Sequence, residues 1–158
     1  RDSHYVEFNY DSGAVVSSQC RHQKGCDRRI DEVFQGTKGS VELRNGMIRD
    51  QEGKELYRYT KALEQEPNPY QVEHDEFFKS IRTNDIISDT ENGAKSTLSA
   101  IMGRIATYSG KTVTWDEALN SNHQIMPESV DWDTTPPSLP NENGFYSIPK
   151  PGVTKFST

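Results

Sequence analysis

Two thiols and an imidazole are clustered in residues 20–26 (CRHQKGC), which is the stretch where metal ligands are densest. A structural zinc site usually has four ligands, so this cluster would need another from a distant residue such as His4 or His74. We therefore predict no metal site. The expected state is two free thiols, Cys20 and Cys26, and a disulfide between them is the alternative in an oxidising compartment.

Arg21 and His22 form a polar pair where a predicted strand runs into a loop, a common place for binding residues. Guanidinium and imidazole groups can hydrogen-bond hydroxyls, so this pair is the candidate substrate contact. No nucleophile or partner base stands beside the pair, and a solvated loop is the competing interpretation. We predict no catalytic or cofactor-binding residue elsewhere in the chain, and we interpret His74 as a packing residue on a helix.

Residues 4–59 contain short apolar segments separated by turn residues, which is the pattern of an antiparallel sheet. Strands are predicted at 6–10, 14–16, 29–34, 41–43 and 56–59, with turns at 11–13, 36–39, 45–46 and 52–53. If the alternation holds, one face of this sheet is free of helices and carries the apolar residues Tyr5, Val15 and Val33. Such a face is a candidate surface for oligomer contacts.

Two longer amphipathic helices follow the strands. Asn68 and Pro69 have the residue types of a helix start, which predicts a helix over 69–83. The second helix is predicted over 90–109, with a capping box from Ser88 to Glu91 and a stop at Gly110. Both helices are expected to cover one face of the sheet, and a strand near 113 and a short helix over 116–119 come next.

Composition limits the classes of protein that this chain can represent. The net charge of −6 and the scattered basic residues argue against a nucleic-acid partner, and no apolar run is long enough to span a membrane. Residues 122–158 carry six prolines among polar residues, which indicates an extended strap with scattered aromatic anchors. The predicted division is an α+β sheet-and-helix domain over 1–121 and the Pro-rich strap of the same domain over 122–158.

Several runs together resemble the C-terminal domain of the glucose-fructose oxidoreductase / inositol dehydrogenase (Gfo/Idh/MocA) family. The resemblance covers nearly the whole chain, and the last run is similar to the tail of a bacterial branch of that family. The runs are 68–78 (NPYQVEHDEFF), 92–98 (NGAKSTL), 100–104 (AIMGR), 106–110 (ATYSG), 114–121 (TWDEALNS) and 132–137 (WDTTPP).

This resemblance implies a two-domain oxidoreductase that acts on a sugar, an inositol or a related polyol. In that family an N-terminal Rossmann domain binds NAD or NADP, and the second domain has an open, mostly antiparallel sheet with helices on one face. The sheet commonly builds the oligomer interface, while the substrate lies between the two domains. We therefore expect this chain to shape the substrate site and to form homo-oligomers.

The chain departs from the family pattern in its chemistry. It contains no Gly-x-Gly-x-x-Gly fingerprint, no Glu-Lys-Pro motif and no Asp-x-x-x-His pair, so no catalytic residue is carried over. Hydride transfer needs the cofactor held against the substrate and a base to accept the hydroxyl proton. The expectation is a fragment that binds no nicotinamide cofactor by itself and partners its own Rossmann domain, in the bacterial cytoplasm or the periplasm.

The rival interpretation is a non-catalytic carbohydrate-binding or protein-interaction module. Its support is the scatter of aromatic side chains that can stack on sugar rings: Tyr57, Tyr59, Trp115 and Trp132. Trp115 weakens it, because this residue opens a short helix and is expected in the core. A dinucleotide fingerprint in the upstream part of the gene would discriminate between the two interpretations.

Overall fold

The computed structural model describes residues 3–60, 66–124, 126–127 and 129–155. It confirms an α+β chain with antiparallel sheets and three helices in these ranges. Two compact units are present, one of residues 1–24 with 89–158 and one of residues 25–88. The predicted division at 121/122 stays a prediction. The elements are β1 (Ser3–Asn9), β2 (Val15–Arg21), β3 (Val33–Gly36), β4 (Gly39–Glu42), β5 (Met47–Arg49), β6 (Glu55–Arg58), α1 (Pro69–Thr83), α2 (Thr90–Ser109) and α3 (Trp115–Leu119).

In the first unit, β1 and β2 form the predicted hairpin. They pair antiparallel from Ser3 opposite Arg21 to Asn9 opposite Val15. The turn closes with a hydrogen bond from Tyr10 N to Ala14 O of 3.0 Å, and Gly13 has the positive φ of 82° that the turn requires. Side chains of β1 alternate strictly between half-buried and exposed, as expected for a sheet with one covered face.

Helix α2 covers that face, and a glycine allows the close approach. A Cβ added at Gly103 would lie 3.1 Å from Phe8 Cζ and 3.7 Å from Val6 Cγ1. Ile105, two residues after Gly103, is also buried. Ser109 is the most deeply buried polar residue, and its hydroxyl donates to Ile105 O at 2.8 Å. Helix α2 therefore packs on a sheet, as predicted, through a side that includes Gly103.

The end of α2 holds the C-terminal strap. Gly110 ends the helix in the left-handed conformation, as predicted, and donates to Ala106 O at 2.8 Å. A Cβ at Gly110 would lie 2.8 Å from Pro151 Cβ, and Gly152 N donates to Ser109 O at 2.6 Å. The strap thus docks here through backbone and proline contacts, whereas the aromatic anchors that we expected, such as Trp132 and Phe145, are exposed.

The N-terminus of α1 is capped as predicted, whereas the N-terminus of α2 is not. Asn68 caps α1 by accepting from Tyr70 N at 3.0 Å. The predicted Ser88–Glu91 capping box is wrong, because the N-cap is Asp89, its backbone is not extended and its side chain makes no cap bond. The carboxylate of Glu91 binds Lys95 on the next turn instead.

The predicted strand near residue 113 is also wrong. Val113 lies in a segment without strand pairing that leads into α3. Thr114 is the N-cap of this short helix, and it shares a complete capping box with Glu117. The backbone of Thr114 is extended, but no strand pairs with this segment.

In the second unit, β3 to β6 form a four-stranded antiparallel sheet in sequence order. The predicted turns at 36–39, 45–46 and 52–53 are confirmed between successive strands. The single sheet over 4–59 is wrong, because the described strands form two sheets. Residues 22–32 explain the break, since they are rich in charges and lack alternation, and β3 starts at Val33 rather than at Arg29.

Helix α1 does not cover this sheet in the described structure. It contacts none of the four strands of this sheet, it has no buried residue, and its apolar stripe of Tyr70, Phe77, Phe78 and Ile81 is exposed. The expectation that α1 shields one sheet face is therefore wrong here. Among the helices in the described ranges, none has the length and the hydropathy needed to cross a bilayer.

Candidate functional site

Arg21 and His22 lie at the end of the hairpin of the first unit. Arg21 is the last residue of β2, opposite Ser3, and His22 begins the loop that follows. Both side chains are exposed, so hydroxyl groups of a ligand could reach them. The structure thus confirms the strand-to-loop position that motivated this pair, whereas its role in substrate contact stays a prediction.

The two cysteines are not joined by a disulfide, and Cys20 is exposed while Cys26 is partly buried. Cys20 lies directly opposite His4 across the hairpin, which brings their side chains to the same face. Nδ1 of His4 is buried without a hydrogen-bond partner. Within the described residues, no three His, Cys, Asp or Glu side chains converge as metal ligands would.

Two residues interpreted as core residues are more exposed than expected. His74 is exposed on α1, and its Nδ1 lies 2.7 Å from Tyr70 O, one turn earlier on the same helix. The packing role predicted for His74 is therefore wrong in this unit, because α1 has no sheet against it. Trp115 does open α3, but it is 37% exposed and the buried position of that helix is Ala118.

The four-stranded sheet carries a row of apolar side chains on one face, which we call the apolar row. The pairing register aligns one residue from each strand: Phe34, Val41, Ile48 and Tyr57. A register shift between β5 and β6 adds Leu56 as an extra residue. Exposed fractions are 59% for Phe34, 37% for Ile48, 59% for Leu56 and 52% for Tyr57, so the described residues of the same unit leave the row uncovered.

The opposite face of the same sheet carries charged side chains that form ion pairs and cover Met47. Met47 is only 5% exposed, and the guanidinium of Arg58 lies 3.8 Å from its sulfur. Arg58 also pairs with Glu55 on the same strand, and Arg49 pairs with Glu42 at 3.5 Å. The two faces of the sheet thus differ. The charged side chains on one face, which we call the ionic face, form ion pairs, and the side chains on the other face are apolar and exposed.

A shallow depression of about 460 Å³ lies over the apolar row. Its floor includes Phe34, Val41, Ile48 and Leu56, and the hairpin turn with Lys38 forms one end. The depression is open and mostly apolar, unlike the enclosed clefts with convergent polar groups that usually bind small molecules. Its form suits a broad packing contact more than a small ligand.

Several side chains in and near the sheet have shifted pKa values. Tyr59 donates its hydroxyl to Glu66, and this bond raises the pKa of Tyr59 from 10.0 to about 12. Hydrogen bonds from Arg29 lower the pKa of Asp31, and those from Arg58 lower the pKa of Glu55. Asp31 and Glu55 lie in local ion pairs and Tyr59 in a hydrogen bond, so the shifts have structural causes.

An open apolar face was predicted for this part of the chain, but the residue predicted to lie on that face was wrong. Val33 lies on the ionic face opposite Glu42, and its neighbour Phe34 lies on the open face. Tyr5 and Val15 do share an exposed face, but that face belongs to the hairpin of the first unit. Val33 and Phe34 are both apolar and adjacent, so alternation alone could not show which of the two lies on the open face.

The comparisons with known proteins returned no relative. No family model, no curated protein and no solved structure matches this chain.

Proposed function

We propose that this chain is the C-terminal substrate-shaping and oligomerisation domain of a nicotinamide-dependent oxidoreductase that acts on a sugar, an inositol or a related polyol. The Rossmann domain of the same enzyme would bind NAD or NADP and supply the catalytic residues. In this role the present chain provides scaffold, walls and contacts between copies. Hydride transfer itself takes place on the other domain.

The observation that carries the proposal is the amount of uncovered surface. The chain exposes 14329 Å². A compact protein of 17.9 kDa exposes about 8,000 Å², and two separately compact units of these sizes would together expose about 9,600 Å². Because large side chains such as Phe34, Tyr70 and Trp132 are among the exposed residues, the excess includes apolar area that normally packs against other protein.

The runs that resemble the oxidoreductase family support the proposal through their structural roles. Asn68 caps α1, Gly103 and Gly110 make close contacts at α2, and Thr114 with Glu117 forms the capping box of α3. These are scaffold roles, consistent with a domain that positions a site rather than one that performs chemistry. The experiment that tests the proposal is to read the gene upstream: a dinucleotide fingerprint within the preceding few hundred codons is expected, and its absence would contradict the proposal.

Arg21 and His22 are the proposed contacts to substrate hydroxyls. In the complete enzyme, replacing both by alanine should raise KM for the polyol about tenfold and change kcat less, because hydrogen bonds to ligand hydroxyls act mainly on binding. Lys24→Ala is the control, since Lys24 is an exposed cation of the same loop. An unchanged KM in the double variant would remove this pair from the site.

One observation favours the carbohydrate-binding alternative. Trp132 is fully exposed on the strap, and a bare indole is the usual platform for stacking on a sugar ring. If this alternative holds, soluble polysaccharide should quench tryptophan fluorescence in the wild type and not in Trp132→Ala. Equal quenching in both proteins, or none in either, would argue for the oxidoreductase domain, in which Trp132 packs against protein.

A further inference from the structure

Arg28 and Arg29 are the only two adjacent Arg or Lys residues in the sequence. They lie in the segment 22–32, which contains the boundary between the first and the second unit at 24/25. We propose that this pair is a processing site for an endoprotease whose cleft recognises two neighbouring basic side chains. The protease cleaves the peptide bond after Arg29.

The backbone at this pair is accessible to a protease cleft. Residues 22–32 contain no strand and no helix, and Ile30, the residue after the cleaved bond, is 92% exposed. Among the described residues, neither Arg29 nor Ile30 has a partner for a backbone–backbone hydrogen bond. An extended peptide binds a partner through such unpaired backbone groups, and exposed loops are the preferred sites of proteolytic cleavage.

The side chains of the pair present two neighbouring cations. Arg28 is exposed and forms no ion pair with a residue that the structure describes. The side chain of Arg29 is 73% exposed, and its ion pair with Asp31, at 2.9 Å, is a surface contact that opens readily. Carboxylates in a protease cleft can bind both guanidinium groups, because the planar fork of arginine matches a carboxylate in bidentate geometry.

The cleavage is a hydrolysis, and water is the only reactant besides the chain. The oxygen of the water molecule bonds to the carbonyl carbon of Arg29, and the bond from that carbon to Ile30 N breaks. Both protons of the water molecule pass to Ile30 N. The new chain ends are therefore a carboxylate on Arg29 and an ammonium group on Ile30.

The packing of the first unit should hold the two products together. This unit is built from residues 1–24 and 89–158, which fall on different fragments after cleavage. Helix α2 packs on β1, and a Cβ added at Gly103 would lie 3.1 Å from Phe8 Cζ. The chain passes between the units twice, at 24/25 and at 88/89, so cleavage leaves one covalent connection. The product is a two-chain protein.

Digestion of the full chain with a purified dibasic-specific endoprotease of the subtilisin class, followed by intact-mass spectrometry, tests the site. The wild type should be cut once, after Arg29. Arg28→Gln should slow the cleavage at least about tenfold, because it removes one of the two charges that the cleft binds. Lys24→Gln is the matched control, since it removes a single exposed cation of the same segment and should leave the rate unchanged.

Size-exclusion chromatography of the cleaved protein tests whether the fragments stay associated. They should elute together in native buffer and separately in urea. An uncut wild type, a first cut at another residue, or cleavage of Arg28→Gln at the wild-type rate would contradict the processing site. Fragments that separate without urea would contradict the retention of the hairpin on α2.

Discussion

Tyr59 is the residue whose ionisation the structure alters most clearly. Its phenol donates to Glu66, and a negative acceptor next to the hydroxyl disfavours loss of the proton. The folded-state pKa of about 12 lies above the ordinary 10.0, so the bond stabilises the folded chain below pH 10. That contribution is lost as the pH rises from 10 towards 12.

We therefore expect one of the seven tyrosines to ionise late in an ultraviolet absorbance titration of the folded chain. The late step is expected near pH 12. Tyr59→Phe should remove the late step, whereas Tyr57→Phe, on the neighbouring apolar row, should retain it. A late step that survives Tyr59→Phe would show that another tyrosine is the shifted one.

Single residues were the most predictable part of this chain. Asn68, Gly110 and the Asn45-Gly46 turn do what their local chemistry requires, because a cap or a left-handed turn depends on a few neighbouring atoms. The residue on the open sheet face was not predictable in the same way. One misplaced residue in a strand exchanges its two faces, and this separates Val33 from Phe34.

Among the elements, α2 packs on the hairpin, and Gly103 sets the distance between them. A side chain at this position would press on Phe8 and Val6. We expect Gly103→Val to lower the free energy of unfolding by about 2 kcal/mol, because overpacking forces shifts that outweigh the better helix propensity of valine. Urea denaturation followed by circular dichroism measures this change.

Gly93 on the same helix provides the control for that substitution. A Cβ there meets nothing within 4 Å, so Gly93→Val should change the stability by less than about 0.5 kcal/mol. Equal effects at the two positions would mean that helix propensity alone governs them. The contact between α2 and the hairpin would then contribute less than the structure indicates.

Element types were readable from the sequence, but their partners were not. The helix bounds 69–83 and 90–109 follow from apolar periodicity and caps, and the structure confirms them. Pairing is a non-local property, so the same pattern could not show that β2 and β3 belong to separate sheets. Nor could it show that α1 contacts none of the strands of its own unit, since an apolar stripe indicates a buried face without identifying the element that buries it.

At the scale of the whole molecule, the uncovered apolar surface is the feature that most needs a cause. The apolar row, the stripe of α1 and the aromatic residues of the strap are exposed in separate parts of the chain. A second copy on the apolar row would cover one of these surfaces. The proposed cofactor domain would account for the other two, and its residues, rather than those of this chain, would then decide between NAD and NADP.

The central claim is tested most directly by calorimetric titration of NAD and NADP into two proteins, the present chain and the polypeptide encoded by its complete reading frame. The account predicts saturable binding of one of the two cofactors by the complete polypeptide and none by residues 1–158 alone. Saturable binding by the isolated chain would contradict it. So would a complete polypeptide that binds neither cofactor, because the proposed oxidoreductase would then lack its hydride carrier.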